Sequence, residues 1–317
     1  MAGYISKRVA LMIPTLFGIS LIVFMMVRFL PGDAVDTLAG DYGASDPALR
    51  QQLLEQYKLS ASVPSQYLTW MSSLAHADLG KSIISGRGII DEFRHRAPPT
   101  TELAFLTILF ILLVSIPVGV VSATRRNSSP DLIARTCSIV FLAVPGFWLA
   151  TLVVTLPSRW WGWSPPLEYK SLLTDPVSNL NKLVFPSIIL SLPLSGAVMR
   201  LTRAQMLDVL RQDYIRTAWS KGLRERSVIT RHALRNALIP VITIVGLQIP
   251  ALLGGVVIME TIFGIPGLGS YLFQSILSRD YPVVQGVNLI TAVSILWINL
   301  IVDISYAYLD PRIRVGS

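Results

Sequence analysis

Cysteine is almost missing from this 317-residue chain. The single Cys137 sits in an apolar stretch, so no intrachain disulfide can form and the fold does not depend on redox compartment. Histidine is nearly as scarce. His76, His95 and His232 show no metal-ligand spacing, so no metal site is expected. Charge is also thin, at 15% of residues, against about 25% in a soluble domain. That is too little to coat a soluble surface. Acids are the rarer sign, 19 against 27 Lys and Arg, for a net charge of +8. A basic balance can mean nucleic acid. Here the excess lies in short segments between apolar runs, which argues against a nucleic-acid partner.

Catalytic patterns are missing too. No G-x-S-x-G, H-E-x-x-H or paired Asp on one helix occurs. Gly80-Lys81-Ser82 ends like a phosphate-binding loop, but Ala75 stands where the loop needs its first glycine. Hydrolytic and metal chemistry have no support, and the chain is expected not to be an enzyme. No ladder of buried acids marks a proton relay.

What the chain has is apolar runs, reflected in a mean hydropathy of +0.57. Six segments lack Asp, Glu, Lys and Arg: Val9–Val27, Leu103–Thr124, Thr136–Ser158, Leu183–Met199, Asn236–Met259 and Tyr281–Val302. About 20 apolar residues let a helix cross a hydrocarbon core of ~30 Å. Leu183–Met199 is the shortest and carries Pro186 and Pro193. Nothing alternates over the ~10 residues of a barrel strand. The prediction is an all-α membrane protein with six transmembrane helices. The first run exceeds a signal-peptide core and lacks a small-x-small cleavage site, so it reads as a retained helix.

Basic residues near helix ends orient the chain. Lys7, Arg8, Arg125, Arg126, Arg135, Arg312 and Arg314 fall on one side, with nine more between Arg200 and Arg235. Both termini are therefore expected in the cytoplasm. Trp160, Trp161 and Trp163 fall on the outer side and read as an interfacial aromatic belt. Asp303 reads as a boundary carboxylate, with a gating role as the alternative, and Gln248, Asn288 and Asn299 as interhelical hydrogen-bonding groups, with pore lining as the alternative.

The expected organisation is an N-terminal segment with the first helix (1–29), an outer cap (30–99), a transmembrane core (100–308) holding an inner loop (203–238), and a tail (309–317). Within the cap, Ala48–Tyr57 and Gln66–Ala75 pattern as short amphipathic helices, the first opened by Asp46-Pro47, and Gly80, Gly86 and Gly88 mark turns.

The inner loop is too apolar for a connector. In Asp213–Pro240, Tyr214, Ala218 and Leu223 form a partial apolar stripe, Gly222 breaks a first helix, and Ser227 is placed to cap a second. The product is a helix–turn–helix rimmed by arginine. DNA binding does not suit a unit tethered between two membrane helices. A docking knob for a soluble partner does, with apolar residues for a groove and basic residues for an acidic rim.

This stretch resembles the coupling-loop signature of bacterial ABC importer permeases, E-A-A, three residues and Gly, then an apolar residue, any residue, Leu and Pro. Arg216-Thr217-Ala218 stands at E-A-A, Gly222 at the Gly, and His232-Ala233-Leu234-Arg235 at the end. The departures match the dipeptide/oligopeptide/nickel branch. Leu30-Pro31-Gly32-Asp33, Asp78-Leu79-Gly80-Lys81-Ser82, Phe263-Gly264-Ile265-Pro266-Gly267-Leu268-Gly269 and Tyr306-Ala307-Tyr308-Leu309-Asp310-Pro311-Arg312 agree in order along the chain. The chain is similar to the first permease of that branch, the DppB/OppB-like type.

The resemblance implies a type I ABC importer permease fold in a bacterial cytoplasmic membrane. It implies a second permease, two cytoplasmic ATPases and an extracytoplasmic substrate-binding protein as partners. ATP and Mg²⁺ would be held by the ATPases, and this chain would bind no cofactor. Tyr214, Arg216, Thr217, Ala218, Lys221, Gly222, Leu223, Arg224, Arg231, His232 and Leu234 would couple to an ATPase. Gly267, Tyr271 and Gln274 would meet the binding protein. Substrate-binding residues are undefined, and peptides are the default cargo. A secondary transporter would need midplane carboxylates and internal repeats, and a membrane enzyme or receptor would need a polar cluster at one face. Neither pattern is present.

Overall fold

In a bilayer every backbone N–H and C=O must be satisfied within the chain, so apolar runs of this length become helices. The computed structural model describes residues 2–28, 51, 60–166 and 168–309. The helices are α1 (Ala2–Arg28), α2 (Val63–Ala75), α3 (Ile89–Thr124), α4 (Ser129–Ala143), α5 (Gly146–Trp161), α6 (Pro176–Leu210) and α7 (Asp213–Ser220). A turn at Glu225–Ser227, a π-helical segment Val228–Ala233 and α8 (Leu234–Phe263) then follow without a break, before α9 (Leu268–Leu277) and α10 (Tyr281–Leu309). Among the described residues there is no strand, only an isolated bridge between Lys81 and Gly88. The Leu30–Asp33 motif, the Ala48–Tyr57 helix apart from Gln51, the residues from Asp310 on and the Asp303 side chain lie outside the described residues.

Among the described residues, five helices are long and apolar enough to cross a membrane: Arg8–Arg28, Ile89–Thr124, Pro176–Leu210, Glu225–Pro250 and Tyr281–Val302. The expected single helix Thr136–Ser158 is a correction. It is two helices, α4 and α5, bent by 90°. The cause is local: Pro145 has no N–H and disfavours helical geometry at Val144, whose ψ is 123°. Counted as one span, this broken pair raises the candidates among the described residues to six. A second pair, Gly254–Phe263 and Leu268–Leu277, passes the apolarity test jointly, but the 10 residues of α9 reach only ~15 Å.

The described chain divides into two compact units. The first comprises 1–98 and 267–300. Phe24 of α1 meets the rings of Tyr67 at 5.0 Å and Trp70 at 5.9 Å on α2. The buried Asp280 carboxylate accepts from Ser82 Oγ and from Ile83 N–H, which fixes the 80–88 loop. Behind it Ile89, Tyr271, Val283 and Val287 form a core.

The second unit comprises 99–266 and 301–317. Its central helix is α6, which packs on α4 and α8. The approach to α4 is close. A Cβ on Gly196 would lie 2.5 Å from the Ser138 carbonyl, and one on Gly119 of α3 would lie 2.6 Å from Thr202 Cβ. Such small residues let membrane helices touch backbone to backbone. At one end of α6, Lys182 is 1% exposed and donates from Nζ to the carbonyls of Pro166 (2.5 Å) and Phe263 (2.8 Å). It therefore neutralises the C-terminus of α8. Nearby, Glu102 accepts from Tyr169 Oη, Leu172 N–H and Asn179 Nδ2. Burial, and then the Glu102 carboxylate, push the Tyr169 phenol above its ordinary range, so it stays a donor. Asn288, expected to bridge helices, donates instead to Val284 O of its own helix. Gln248 is half-buried and borders a very small cavity with Ile111, Leu194, Val198, Val245 and Leu252.

Candidate functional site

α6 ends at Leu210, and α7 begins after Arg211 and Gln212. The eight residues of α7 present one apolar pair at helical spacing, Ile215 and Ala218. Both are buried, in a core with Ala123 of α3, Met206 of α6, Val228 and Ala233 of the π-helical segment and Ala237 of α8. Full burial of an Ile or Val side chain is worth about 1.5–3 kcal/mol, so this cluster seats α7 firmly on the end of the bundle.

α7 stops in a Schellman motif. Gly222 has φ +74°, a region that costs other residues about 1–2 kcal/mol. Its N–H donates to Trp219 O at 2.9 Å, and Leu223 N–H to Ala218 O at 3.4 Å. No atom lies within 4 Å of where a Gly222 Cβ would be. The turn is thus open to whatever approaches it.

The other face of α7 and its turn is exposed. It carries Tyr214, Arg216, Thr217, Trp219, Lys221, Leu223 and Arg224. Tyr214 Oη accepts from Asn236 Nδ2 at 2.9 Å, which ties the aromatic ring to the foot of α8. Arg216 reaches Asp213 at 3.5 Å. Arg231 is exposed on the π-helical segment, while His232 and Leu234 are half-buried. The expected residues are therefore brought together, with two corrections. Ala218 faces the core and offers no contact area, because Ile215 three residues earlier sets the buried side. Ser227 makes no capping bond; winding starts at Glu225 with Arg224 in the cap position and runs on through the π turn. Trp219, 44% exposed, was missed from the sequence. A tryptophan at an exposed helical position was the available signal.

In the first unit the expected contact residues separate. Gln274 is exposed on α9 beside Phe273, whereas Gly267 and Tyr271 are buried. The Arg96 guanidinium lies 4.3 Å over the Tyr271 ring, so that ring has an internal partner. The exposed residues of α9 are Phe273, Gln274 and Leu277.

The profile of the binding-protein-dependent transport system inner membrane component family matches residues 115–315. This chain belongs to that family. It is 40% identical over 317 residues to the oligopeptide transport system permease protein AppB of Bacillus subtilis (strain 168), covering 99% of this chain and 100% of that one. It is 38% identical over 337 residues to the dipeptide transport system permease protein DppB of Escherichia coli (strain K12), covering 99% of each. Its fold is similar to a crystal structure of an amino acid ABC transporter (TM-score 0.54, 15% identity, 69% of this chain and 94% of that chain). It is also similar to the MetNI methionine ABC transporter in inward-facing conformations (TM-score 0.55, 16% identity, 70% and 97%). The chain is thus an inner-membrane ABC permease with the importer fold. Membership in a binding-protein-dependent family implies substrate-binding and ATPase partners.

Proposed function

We propose that this permease imports di- and oligopeptides as one of two related permease subunits, driven by two ATPases, one of which docks on α7. The carrying observation is the division of α7 into two faces. Ile215 and Ala218 anchor it to α3, α6 and α8, while Tyr214, Trp219, Leu223 and the cations Arg216, Lys221, Arg224 and Arg231 are exposed to a partner groove. In this reading α7 and both termini face the cytoplasm, and ATP and Mg²⁺ belong to the ATPases. Closure of the ATPases pushes α7 and rocks the bundle from inward- to outward-facing. Phe273 and Gln274 meet the binding protein. The peptide cargo rests on the names of the relatives at about 40% identity.

The test is co-purification from mild detergent of the tagged chain with its genomic neighbours, as wild type and as Gly222→Arg. The expected outcome is a second permease recovered with both, and the ATPase recovered with wild type only. Full ATPase recovery with the variant would place the docking site elsewhere.

A further inference from the structure

A carboxylate with no exposure lies close to α7 and belongs to none of the surfaces above. Asp131, in the first turn of α4, accepts at Oδ1 from Ser122 Oγ (2.6 Å) and from Arg203 Nε (2.8 Å). Its Oδ2 accepts from Arg203 Nη2 (3.0 Å) and from the N–H of Asn127 (3.0 Å). Arg135 approaches to 3.7 Å. One side chain thus holds the end of α3, the α3–α4 turn and α6.

A buried ion pair contributes little net stability, since desolvation offsets the attraction and apolar replacements are often neutral. What an arginine fork supplies is fixed distance and fixed angle. Its position gives that rigidity a use. Arg203 precedes by one turn Met206 and Leu207, which pack in the core that seats Ile215 and Ala218 of α7. Ser122 adjoins Ala123 of the same core. Between the two helices the Gly119–Thr202 approach leaves no compressible layer. A push on α7 therefore reaches α6 and α3 directly, and α4 through its contacts with α6, of which the Asp131–Arg203 fork lies toward the α7 end and the Gly196–Ser138 approach farther along.

We propose that the Asp131–Arg203 fork is the joint that delivers movement of α7 to α4, so that both are positioning residues for energy coupling. This rests on α7 being the ATPase-docking helix. Cys137 offers a reporter, since it lies on α4 two turns beyond the joint and is the chain's sole cysteine. The experiment places a nitroxide on Cys137 in the assembled transporter, with partner subunits made cysteine-free. Label mobility is compared before and after trapping with ATP and vanadate, alongside ATP hydrolysis and ATPase recovery.

Wild type is expected to show a trapping-dependent change. Asp131→Asn, and more mildly Arg203→Lys, should keep ATPase recovery and hydrolysis while shrinking that change, with coupling weakened about three- to thirty-fold. An undiminished change in both variants overturns the proposal. So does a wild-type label that ignores trapping, or ATPase recovery that falls in step with the signal, which makes the pair a strut. If Gly222→Arg retains its ATPase, the docking reading fails instead, so the two failures are distinguishable.

Discussion

Three glycines show how local geometry sets the effect of one methyl group. At Gly196 an added Cβ would strike the Ser138 carbonyl at 2.5 Å. Gly196→Ala should destabilise by about 1–3 kcal/mol. Gly222 has open space but left-handed backbone, so Gly222→Ala should cost only about 1 kcal/mol. Gly254 has neither constraint, and Gly254→Ala should be neutral or stabilising by up to about 1 kcal/mol. Thermal unfolding in one detergent should rank the variants in that order; a Gly222 variant less stable than the Gly196 variant would contradict the packing. Lys182→Met removes the donor to two buried carbonyls and should cost about 2–4 kcal/mol. The same measurement checks it. Composition could not show these roles. Lys182 looked like one more cation, and Asp131 meets Arg203 across 72 positions of sequence. Gly222 was legible because the turn it makes is local.

At the scale of elements, periodicity and charge placed the apolar middle of every long helix, since a run of uncharged residues in a bilayer has few alternatives, but not the ends: α3 begins at Ile89 instead of Leu103, and α6 runs from Pro176 to Leu210 instead of Leu183 to Met199. The failures fall where winding departs from the regular α pattern. The α4–α5 corner was hidden because Pro145 sits inside an uninterrupted apolar run, and proline is tolerated in some membrane helices and breaks others. The π-helical segment was hidden because its i→i+5 winding leaves no compositional mark. Such a segment amounts to one inserted residue. Deletion of the exposed Thr230 should remove that extra residue, restore α winding and leave α8 in register with α7. The expected result is a chain that inserts in the membrane and still recovers the ATPase. Loss of recovery would mean that the bulge itself bears on docking.

At the scale of the whole molecule, the proposal sets two partners against two surfaces, α7 with its turn and the exposed side of α9. A cysteine at Gln274, in a Cys137→Ser background, should be protected from a water-soluble maleimide when the binding protein is added, by about ten-fold or more at saturation. Protection that is absent with the binding protein present would remove α9 from that interface. The class of the protein was legible because thin charge and long apolar runs exclude most alternatives. The partner-facing side chains were only half legible, because which side of a short helix is buried depends on neighbours distant in sequence. Ile215 and Tyr271 are the two cases.

The 35 residues of α6 make a rod of ~52 Å, more than 20 Å longer than the hydrocarbon core it crosses. Considered as a lever, its tip travels ~9 Å for a tilt of ~10° over that length. The stroke available at α7 is therefore small, and play of even ~1 Å in a joint would absorb about a tenth of it. Tight glycine contacts and a forked ion pair toward the α7 end of such a rod limit backlash.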